Sequence, residues 1–280
     1  MRRIILPILA LGLAVPAFVA QTAPAQSAAK KAASKKINAE LAAAVADPRR
    51  EKDRARDQYR RPAETLTFFQ VAPDMKVGEY APGGEWYSRL LGLYLGPKGK
   101  LVGLYFDPTS GAFSETAQKG IRDGAAKYPS DISTWSGIPA ERFSAYTLDA
   151  VPAAEKGTFD RILVIRALHN PTRAGIADTE IRAMRELLKD DGMIGIVQHR
   201  AKTDAPWSYA NGSKGYLKQQ DMIDFMRLNG FELLASSEVN ANPKDTADHP
   251  EGVWEMPPTL ATKRADLTGL GESDRMTLLF

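Results

Sequence analysis

Two of the three histidines in this chain stand where acid–base chemistry is expected. His169 follows a predicted buried strand at residues 159–165, and His199 follows another predicted at residues 193–197. Ligands of an open α/β sheet bind outside the carboxyl ends of its strands, so both imidazoles should reach one rim of the sheet. A neutral imidazole there can accept a proton from a hydroxyl or an amine. The alternative is structural: each ring orders its own loop through hydrogen bonds to the backbone.

A second group of polar residues lies between a predicted strand and a predicted helix. Glu79 ends the strand, and Gly83 and Gly84 make the turn that follows it. Glycines in such a turn let the backbone at a helix N-terminus approach a ligand. The usual dinucleotide fingerprint is absent, because Ala81, Gly83 and Glu85 occupy the places of its three spaced glycines. In the alternative, the carboxylate and the glycines only shape the turn.

The histidines also raise the question of a metal site. His169, His199 and His249, with Asp107 or Glu238, offer nitrogen and oxygen ligands. Their spacing matches no metal-binding signature, so we expect no metal. The chain has no cysteine, which excludes a disulfide, a thiol nucleophile and a zinc-thiolate site.

The elements that must position these residues alternate along the chain. Strands are predicted at residues 75–80, 101–106, 143–148, 159–165, 193–197, 231–235 and 276–280. Helices are predicted at residues 37–46, 63–69, 86–95, 112–127, 178–188 and 221–229, with Pro129 ending the fourth of them. Seven strands with interleaved helices are typical of one doubly wound α/β domain.

A long polar segment, residues 238–258, separates the last two predicted strands. Long loops inside compact domains are often lids or binding loops, so this segment should cap the rim of the sheet. An ordered structural loop braced by Asn and Pro is the alternative. Just before the last strand, Asp274 and Arg275 are expected to form a structural network.

The N-terminus has the pattern of an export signal. Arg2 and Arg3 precede an apolar run at residues 4–20, and Ala23-Pro24-Ala25 supplies a small-residue cleavage site. We expect cleavage, which makes the mature protein periplasmic or secreted, without stable membrane insertion. An uncleaved anchor is the competing interpretation, because the apolar run approaches the length that spans a bilayer.

The composition indicates one folded domain behind this signal. Of the 280 residues, 44% are hydrophobic, enough for one sizeable core. We expect the signal peptide at residues 1–25, a flexible tether with a short helix at 26–56, and the domain at 57–280. The net charge of +3 is small, and much of the positive excess precedes the domain, so no nucleic-acid surface is expected.

Several segments resemble the class I methyltransferase fold, namely Phe159–Ile165, Leu187–Ile194 and Gly230-Phe231. More specifically, the chain resembles a family of exported bacterial proteins predicted to be methyltransferases. The likeness covers residues 57–280, and its motifs are Arg61–Leu66, Glu79–Tyr87, His199–Ala201, Ser237–Asp245, Gly252–Pro258 and Gly271–Met276.

This resemblance implies a fold and an activity. The implied fold is Rossmann-like, with a mostly parallel seven-stranded sheet. The implied cofactor is S-adenosylmethionine, and the methyl acceptor is an oxygen or nitrogen of an unidentified small molecule. Glu79, Gly83 and Gly84 would contact the cofactor, and His169 or His199 would be the general base.

Two departures from the family pattern bear on the cofactor. Glu85 stands where the family has a third glycine, and there it would crowd the cofactor carboxylate or bind its ammonium group. Tyr105 stands where the second strand of a methyltransferase commonly ends in an acidic residue. Asp107, two residues later, is therefore expected to take over the ribose contact.

The rival hypothesis is a binding protein that keeps the fold and has lost the reaction. S-adenosylmethionine is made in the cytosol, and export separates this protein from that supply. A fold does not imply a function, so the two hypotheses must be distinguished at the site.

Processing can be tested directly. Mass spectrometry of the exported protein should find an N-terminus at Gln26 or within a few residues of it, because Ala23 and Ala25 form the best small-residue pair. An intact Met1 species recovered from the membrane fraction would instead establish the anchor.

Overall fold

The computed structural model describes residues 37–280. The predicted signal peptide and the first part of the predicted tether, residues 26–36, lie outside the described residues. Within the described range, no helix combines the length and the apolar character needed to cross a membrane.

A seven-stranded sheet forms the centre of the molecule, in the order β3-β2-β1-β4-β5-β7-β6. Its strands are β1 (Lys76–Tyr80), β2 (Lys100–Tyr105), β3 (Phe143–Thr147), β4 (Phe159–Ile165), β5 (Leu188–His199), β6 (Ala235–Ser237) and β7 (Arg275–Leu279). The first five run parallel to one another, and β7 is antiparallel to both β5 and β6. The predicted seven strands and doubly wound α/β architecture are confirmed.

The strand order reverses between β1 and β4, because the chain first adds β2 and β3 on one side and then crosses to the other. Tyr80 near the end of β1 pairs in register with Val164 near the end of β4. In an open α/β sheet, the crevice at such a switch point is where ligands bind. The fold therefore brings the loop after β1 next to the loop after β4.

Ten helices are described: α1 (Ala39–Ala46), α2 (Glu51–Arg54), α3 (Asp57–Arg60), α4 (Pro62–Phe68), α5 (Trp86–Tyr94), α6 (Glu115–Ser136), α7 (His169–Ala174), α8 (Ala177–Leu187), α9 (Trp207–Ala210) and α10 (Gln219–Leu228). One core packs α8 and α10 against one face of the sheet, through buried residues such as Ile181 and Met226. The other core packs α1, α4, α5 and α6 against the opposite face, through residues such as Leu66 and Leu91.

Three predicted boundaries differ from the structure by four residues or more. The strand expected to begin at residue 193 already begins at Leu188. The helix expected to end before Pro129 continues to Ser136, because Tyr128 and Ile132 are both fully buried on the core face of α6 and hold the helix together across the proline. The strand expected at residues 231–235 begins only at Ala235. Phe231 packs against the core without pairing to β7, since burial of a side chain does not require a ladder of hydrogen bonds.

Residues 47–56, which we predicted to belong to the tether, are folded onto the domain instead. Arg50 is fully buried: it donates to both oxygens of Asp57 and to the carbonyl of Val45, and its guanidinium lies 5.1 Å from the ring of Trp86. The Trp86 indole in turn donates to the carbonyl of Asp53. The charge density of this segment is typical of a solvated chain, but its contacts attach α2 and α3 to the start of α5.

Candidate active site

Polar and titratable side chains meet at the rim formed by the carboxyl ends of β1, β2, β4 and β5. The part after β1 and β2 contains Glu79, the glycine turn and Asp107. The part after β4 and β5 contains His169 and His199. The switch point of the sheet lies between the two parts.

Glu79 is a buried acid at the end of β1. Its side chain is 3% exposed and accepts a hydrogen bond from the Ser88 hydroxyl of α5. Burial raises the pKa of Glu79 from 4.5 to about 8; the Ser88 bond and the charges of Arg89 and Arg60 lower it by less, and Glu85 adds to the rise. At neutral pH the carboxyl is therefore mostly protonated, and a bound cation would favour its ionised form.

The turn after β1 leaves its backbone accessible. Gly83 has a φ of 56°, in the left-handed region where a side chain is strained, and a Cβ added to Gly84 would meet no atom within 4 Å. Glu85 is itself left-handed, with a φ of 59°, at the N-cap of α5. A glycine would adopt that conformation without strain, so this position costs about 1 kcal/mol in backbone energy. Burial, with Asp131 adding to it, raises the pKa of Glu85 above its ordinary range.

Asp107 lies just beyond β2 and is tied to the same rim. One oxygen of its carboxylate accepts from the backbone N–H and the hydroxyl of Thr109, at 2.7 and 2.6 Å, so that Asp107 closes its own turn. The backbone N–H of Asp107 donates to Glu180 of α8, which also accepts from the Tyr80 hydroxyl. Tyr105 packs edge-on against Tyr128. The loop after β2 is therefore anchored to β1 through α8, and the second oxygen of Asp107 accepts no hydrogen bond from residues 37–280.

His169 and His199 lie side by side, with ring centroids 5.6 Å apart. Both are 6% exposed. Nδ1 of His199 is hydrogen-bonded to the Ser273 hydroxyl at 2.6 Å, whereas Nδ1 of His169 has no partner among the described residues. Burial lowers the pKa of His169 to about 4 and that of His199 well below its usual range, so both rings are uncharged at neutral pH. The two imidazoles do share one rim, as the strand positions predicted.

A cavity of about 170 Å³ adjoins this histidine pair. Its wall includes both imidazoles, Arg166, Trp254, Glu272 and Ser273, and residues 257–259 close it. The Trp254 ring stands edge-on to His169, with centroids 6.1 Å apart. The C-terminal part of the predicted capping segment thus covers the histidines.

The rest of that capping segment is a structural loop, ordered by Asp245. This buried carboxylate accepts hydrogen bonds from the Tyr216 hydroxyl and from the backbone N–H groups of Ala247 and Asp274, and it bonds His249 at 2.9 Å. His249 therefore belongs to the loop and not to the histidine cavity. The capping and structural interpretations each hold for one part of the segment.

The ligand set considered for a metal does not assemble. His249 is bonded to Asp245, and Glu238 is paired with Arg200 on the surface. Within residues 37–280, no group of three or more histidine and acidic side chains could hold a metal ion.

The residues that sequence analysis missed are arginines. Four guanidinium groups surround the buried carboxylate of Glu272: the Glu272 oxygens lie 2.6 Å from Arg56, 3.2 Å from Arg60, 3.0 Å from Arg275 and 3.6 Å from Arg166. Burial raises the pKa of Glu272, but the four arginines outweigh it and hold the pKa below its ordinary value. We call these five residues the arginine cluster.

The expected network between Asp274 and Arg275 is wrong. Asp274 instead pairs with Arg200 at 2.9 Å, while Arg275 pairs with Glu272. Residue 274 precedes β7 and residue 275 begins it, and successive residues of an extended chain face opposite sides. The charge-dense stretch around Arg56 and Arg60 was the only available signal for the cluster, and its partner is more than 200 residues away.

Comparisons with known proteins bear on the fold class. No protein-family model matches the chain, and no curated protein matches it. A protein of Galdieria sulphuraria, provisionally named a sarcosine dimethylglycine methyltransferase, is similar with a TM-score of 0.50 at 14% identity, over 80% of this chain and 83% of that one. An S-adenosylmethionine-dependent methyltransferase of Aquifex aeolicus has a TM-score of 0.47 at 14% identity, over 66% of this chain and 87% of its own.

At this level of identity the similarity concerns the fold alone. Together with the strand order, it confirms the predicted Rossmann-like class I methyltransferase fold with a mostly parallel seven-stranded sheet.

The protonation state of Glu79 can be tested through stability. The folded pKa of about 8 exceeds the ordinary 4.5, so this residue stabilises the fold below pH 4.5 and loses that contribution as pH rises through 8. Glu79→Gln removes the titration and keeps an acceptor for Ser88. Its free energy of unfolding, relative to the wild type, should therefore rise by roughly 4 kcal/mol between pH 5 and pH 9.

Chemical denaturation at a series of pH values gives that difference. Glu186→Gln is the matched control, since it neutralises an exposed carboxylate of α8, and its difference from the wild type should stay flat. An equally flat difference for Glu79→Gln would mean that Glu79 is ionised in the fold throughout this range.

Proposed function

We propose that this protein is an S-adenosylmethionine-dependent methyltransferase that acts on an oxygen or nitrogen of a small molecule. The observation that carries the proposal is the buried acid Glu79 beside the open turn of Gly83 and Gly84, at the switch point of a methyltransferase-like sheet. A buried carboxyl with only a serine donor is suited to a cationic ligand, and an accessible glycine turn is suited to close backbone contact.

The residues of the first part of the rim fit this cofactor. Glu79 would bind the ammonium group, and Gly83 and Gly84 would lie against the methionine portion. The Asp107 oxygen that accepts no hydrogen bond from residues 37–280 would accept one from a ribose hydroxyl. When bound, the cofactor supplies a methyl group on a sulfonium centre that a nucleophile can attack.

His169 is the better candidate for the general base. Its Nδ1 has no partner among residues 37–280, whereas Nδ1 of His199 is engaged with Ser273. An uncharged imidazole at the cavity wall can take the proton of an acceptor hydroxyl or amine, and the cavity holds the acceptor in place. We assign His199 and Ser273 to positioning, because their hydrogen bond fixes the ring that packs on His169.

We also propose that the protein works after export, in the periplasm or outside the cell. Support comes from the signal-like pattern at residues 2–25. The proposed partner is a small molecule, since the cavity beside the histidines is small.

Cofactor binding is the first test. S-adenosylhomocysteine should raise the melting temperature of the purified protein, because a ligand at a hundredfold excess over its Kd stabilises by about 2.7 kcal/mol. Glu79→Gln should weaken binding by about tenfold, since an ammonium–carboxylate bond is lost. Glu186→Gln, on the exposed face of α8, should bind like the wild type. If millimolar ligand leaves every melting temperature unchanged, the fold has lost the cofactor and the binding-protein hypothesis is preferred.

A Glu85 variant can be tested in the same thermal-shift titration. Glu85→Gly should raise the melting temperature without ligand, because it relieves a left-handed φ of 59°. If the Glu85 carboxylate repels that of the cofactor, the variant should also bind several-fold more tightly. Weaker binding would mean that Glu85 contacts the ammonium group.

The role of His169 can be separated from that of His199 by kinetics. With an acceptor found by screening, His169→Ala should lower turnover by roughly 10²–10⁴, with S-adenosylhomocysteine affinity unchanged, because the base acts on the acceptor. His249→Gln is the control: its imidazole lies outside the cavity and should leave turnover intact. Turnover that persists in His169→Ala would exclude this residue as the base.

A further inference from the structure

We propose that the cavity beside the two histidines binds a compact oxyanion, a carboxylate or a phosphate, and that Arg166 contacts it directly. This inference rests on the proposed function only in naming the ligand as the methyl acceptor, which would then be an anionic small molecule. The argument depends on the charge of the arginine cluster, on its unused hydrogen-bond donors and on the dimensions of the cavity.

The arginine cluster carries more positive than negative charge. Four guanidinium groups meet one carboxylate, and in the part of the chain that the structure describes no other acidic group lies within 4.0 Å of any of the four. Glu79, which is close enough for Arg60 to lower its pKa, does not correct the imbalance, because its own pKa of about 8 keeps it mostly protonated at neutral pH. Buried charge without a counter-charge is unfavourable unless a ligand supplies one.

The cluster also has donors to spare. Arg56 and Arg275 donate to Glu272 at 2.6 and 3.0 Å, while Arg166 stays 3.6 Å from it and makes no side-chain hydrogen bond within residues 37–280. Nη2 of Arg60 is buried and has no partner in the same range. Buried polar groups are nearly always satisfied, and a guanidinium fork matches the two oxygens of a carboxylate or phosphate.

The fold directs Arg166 into the cavity. The residue follows β4 immediately and has a φ of 56°, which is unusual for a residue other than glycine. Its backbone N–H donates to the carbonyl of Val197 on β5, and this bond holds the strained conformation. The Arg166 side chain remains 29% exposed and lines the same cavity as His169 and His199. Strain kept in place beside a cavity indicates a functional constraint.

The size of the cavity favours an acceptor group over the cofactor. A volume of about 170 Å³ is well below the roughly 300–1,000 Å³ of pockets that enclose a drug-sized ligand. An oxyanion and the few atoms attached to it fit such a space. The cofactor is proposed to lie across the switch point, against the glycine turn.

Occupation of this subsite would also change the proposed base. After burial, the positive charges of Arg173 and Arg166 both lower the pKa of His169. An oxyanion on Arg166 would cancel part of that effect and raise the pKa of His169. The imidazole would then accept a proton more readily when the acceptor is present than when the site is empty.

Thermal-shift titrations of the purified protein can test the subsite. Sodium phosphate and sodium acetate are the probes, with sodium chloride at equal ionic strength as the reference. At least one of the two oxyanions should stabilise the wild type beyond chloride. Arg166→Gln should weaken that binding by about tenfold or more, as expected when a charge-assisted pair is lost. Arg227→Gln, which removes the same charge from the exposed face of α10, should bind like the wild type.

Several outcomes would overturn the proposal: no stabilisation beyond chloride by either oxyanion, or equal binding by the Arg166 and Arg227 variants. Titration of the same proteins with S-adenosylhomocysteine, which carries its own carboxylate, identifies the source of the anion. Unchanged affinity in Arg166→Gln supports an acceptor subsite, and a loss as large as that for phosphate would assign Arg166 to the cofactor instead.

The two hypotheses can fail separately. A wild type that binds phosphate through Arg166 but does not bind S-adenosylhomocysteine would retain the oxyanion subsite and refute the methyltransferase. Should Arg166→Gln fail to fold, Arg166→Lys keeps the charge and removes the planar fork. Its oxyanion affinity should then fall below that of the wild type, and unchanged affinity would exclude direct contact by a bidentate guanidinium.

Discussion

The site depends on one buried carboxylate, Glu272, which joins three segments that are far apart in the chain. Arg56 and Arg60 come from the N-terminal helices, Arg166 from the end of β4, and Arg275 from the start of β7. Removing a charge from water costs several kcal/mol. The attraction between Glu272 and its arginines offsets that desolvation only if the partners are held in place. Glu272 therefore fixes the geometry of the rim as much as it contributes to stability.

Burial keeps one titratable group in each part of the site uncharged at neutral pH. Glu79 is mostly protonated because its pKa is raised to about 8, and His169 is unprotonated because its pKa is lowered to about 4. Burial thus keeps both side chains uncharged at neutral pH. A cationic ligand group would favour ionised Glu79, and an anionic one would favour protonated His169. Glu79 and His169 thus suit ligand groups of opposite sign.

The sequence predicted the fold better than it predicted the site. Buried parallel strands are rich in branched apolar residues, as in Phe159–Ile165, and their alternation with helices indicates a doubly wound sheet. The meeting of His169 and His199 follows from the same rule, since both come just after, or at the end of, neighbouring parallel strands. No local pattern could predict that Arg60 meets Glu272, because that contact spans 212 residues.

The errors in local structure have the same origin. Pro129 is a helix breaker by its own chemistry, yet α6 continues through it because the residues around it are buried in the core. Residues 47–56 have the charge density of a solvated segment, yet Arg50 is fully buried with Asp57 as its partner. In both places tertiary contacts override the local preference, and such contacts are not visible in one sequence.

The parts of the rim proposed to hold the cofactor and the acceptor come from different segments of the chain. Glu79 lies in β1, and the glycine turn and Asp107 lie on the loops that follow β1 and β2 of the doubly wound core. Trp254 and Glu272, by contrast, belong to the long connection between β6 and β7, and Arg60 belongs to the N-terminal helices. Side chains from these additions determine the size, charge and enclosure of the cavity beside the histidines. The choice of acceptor should therefore depend on segments outside the core, which is why similarity of the core alone indicates the fold and leaves the substrate open.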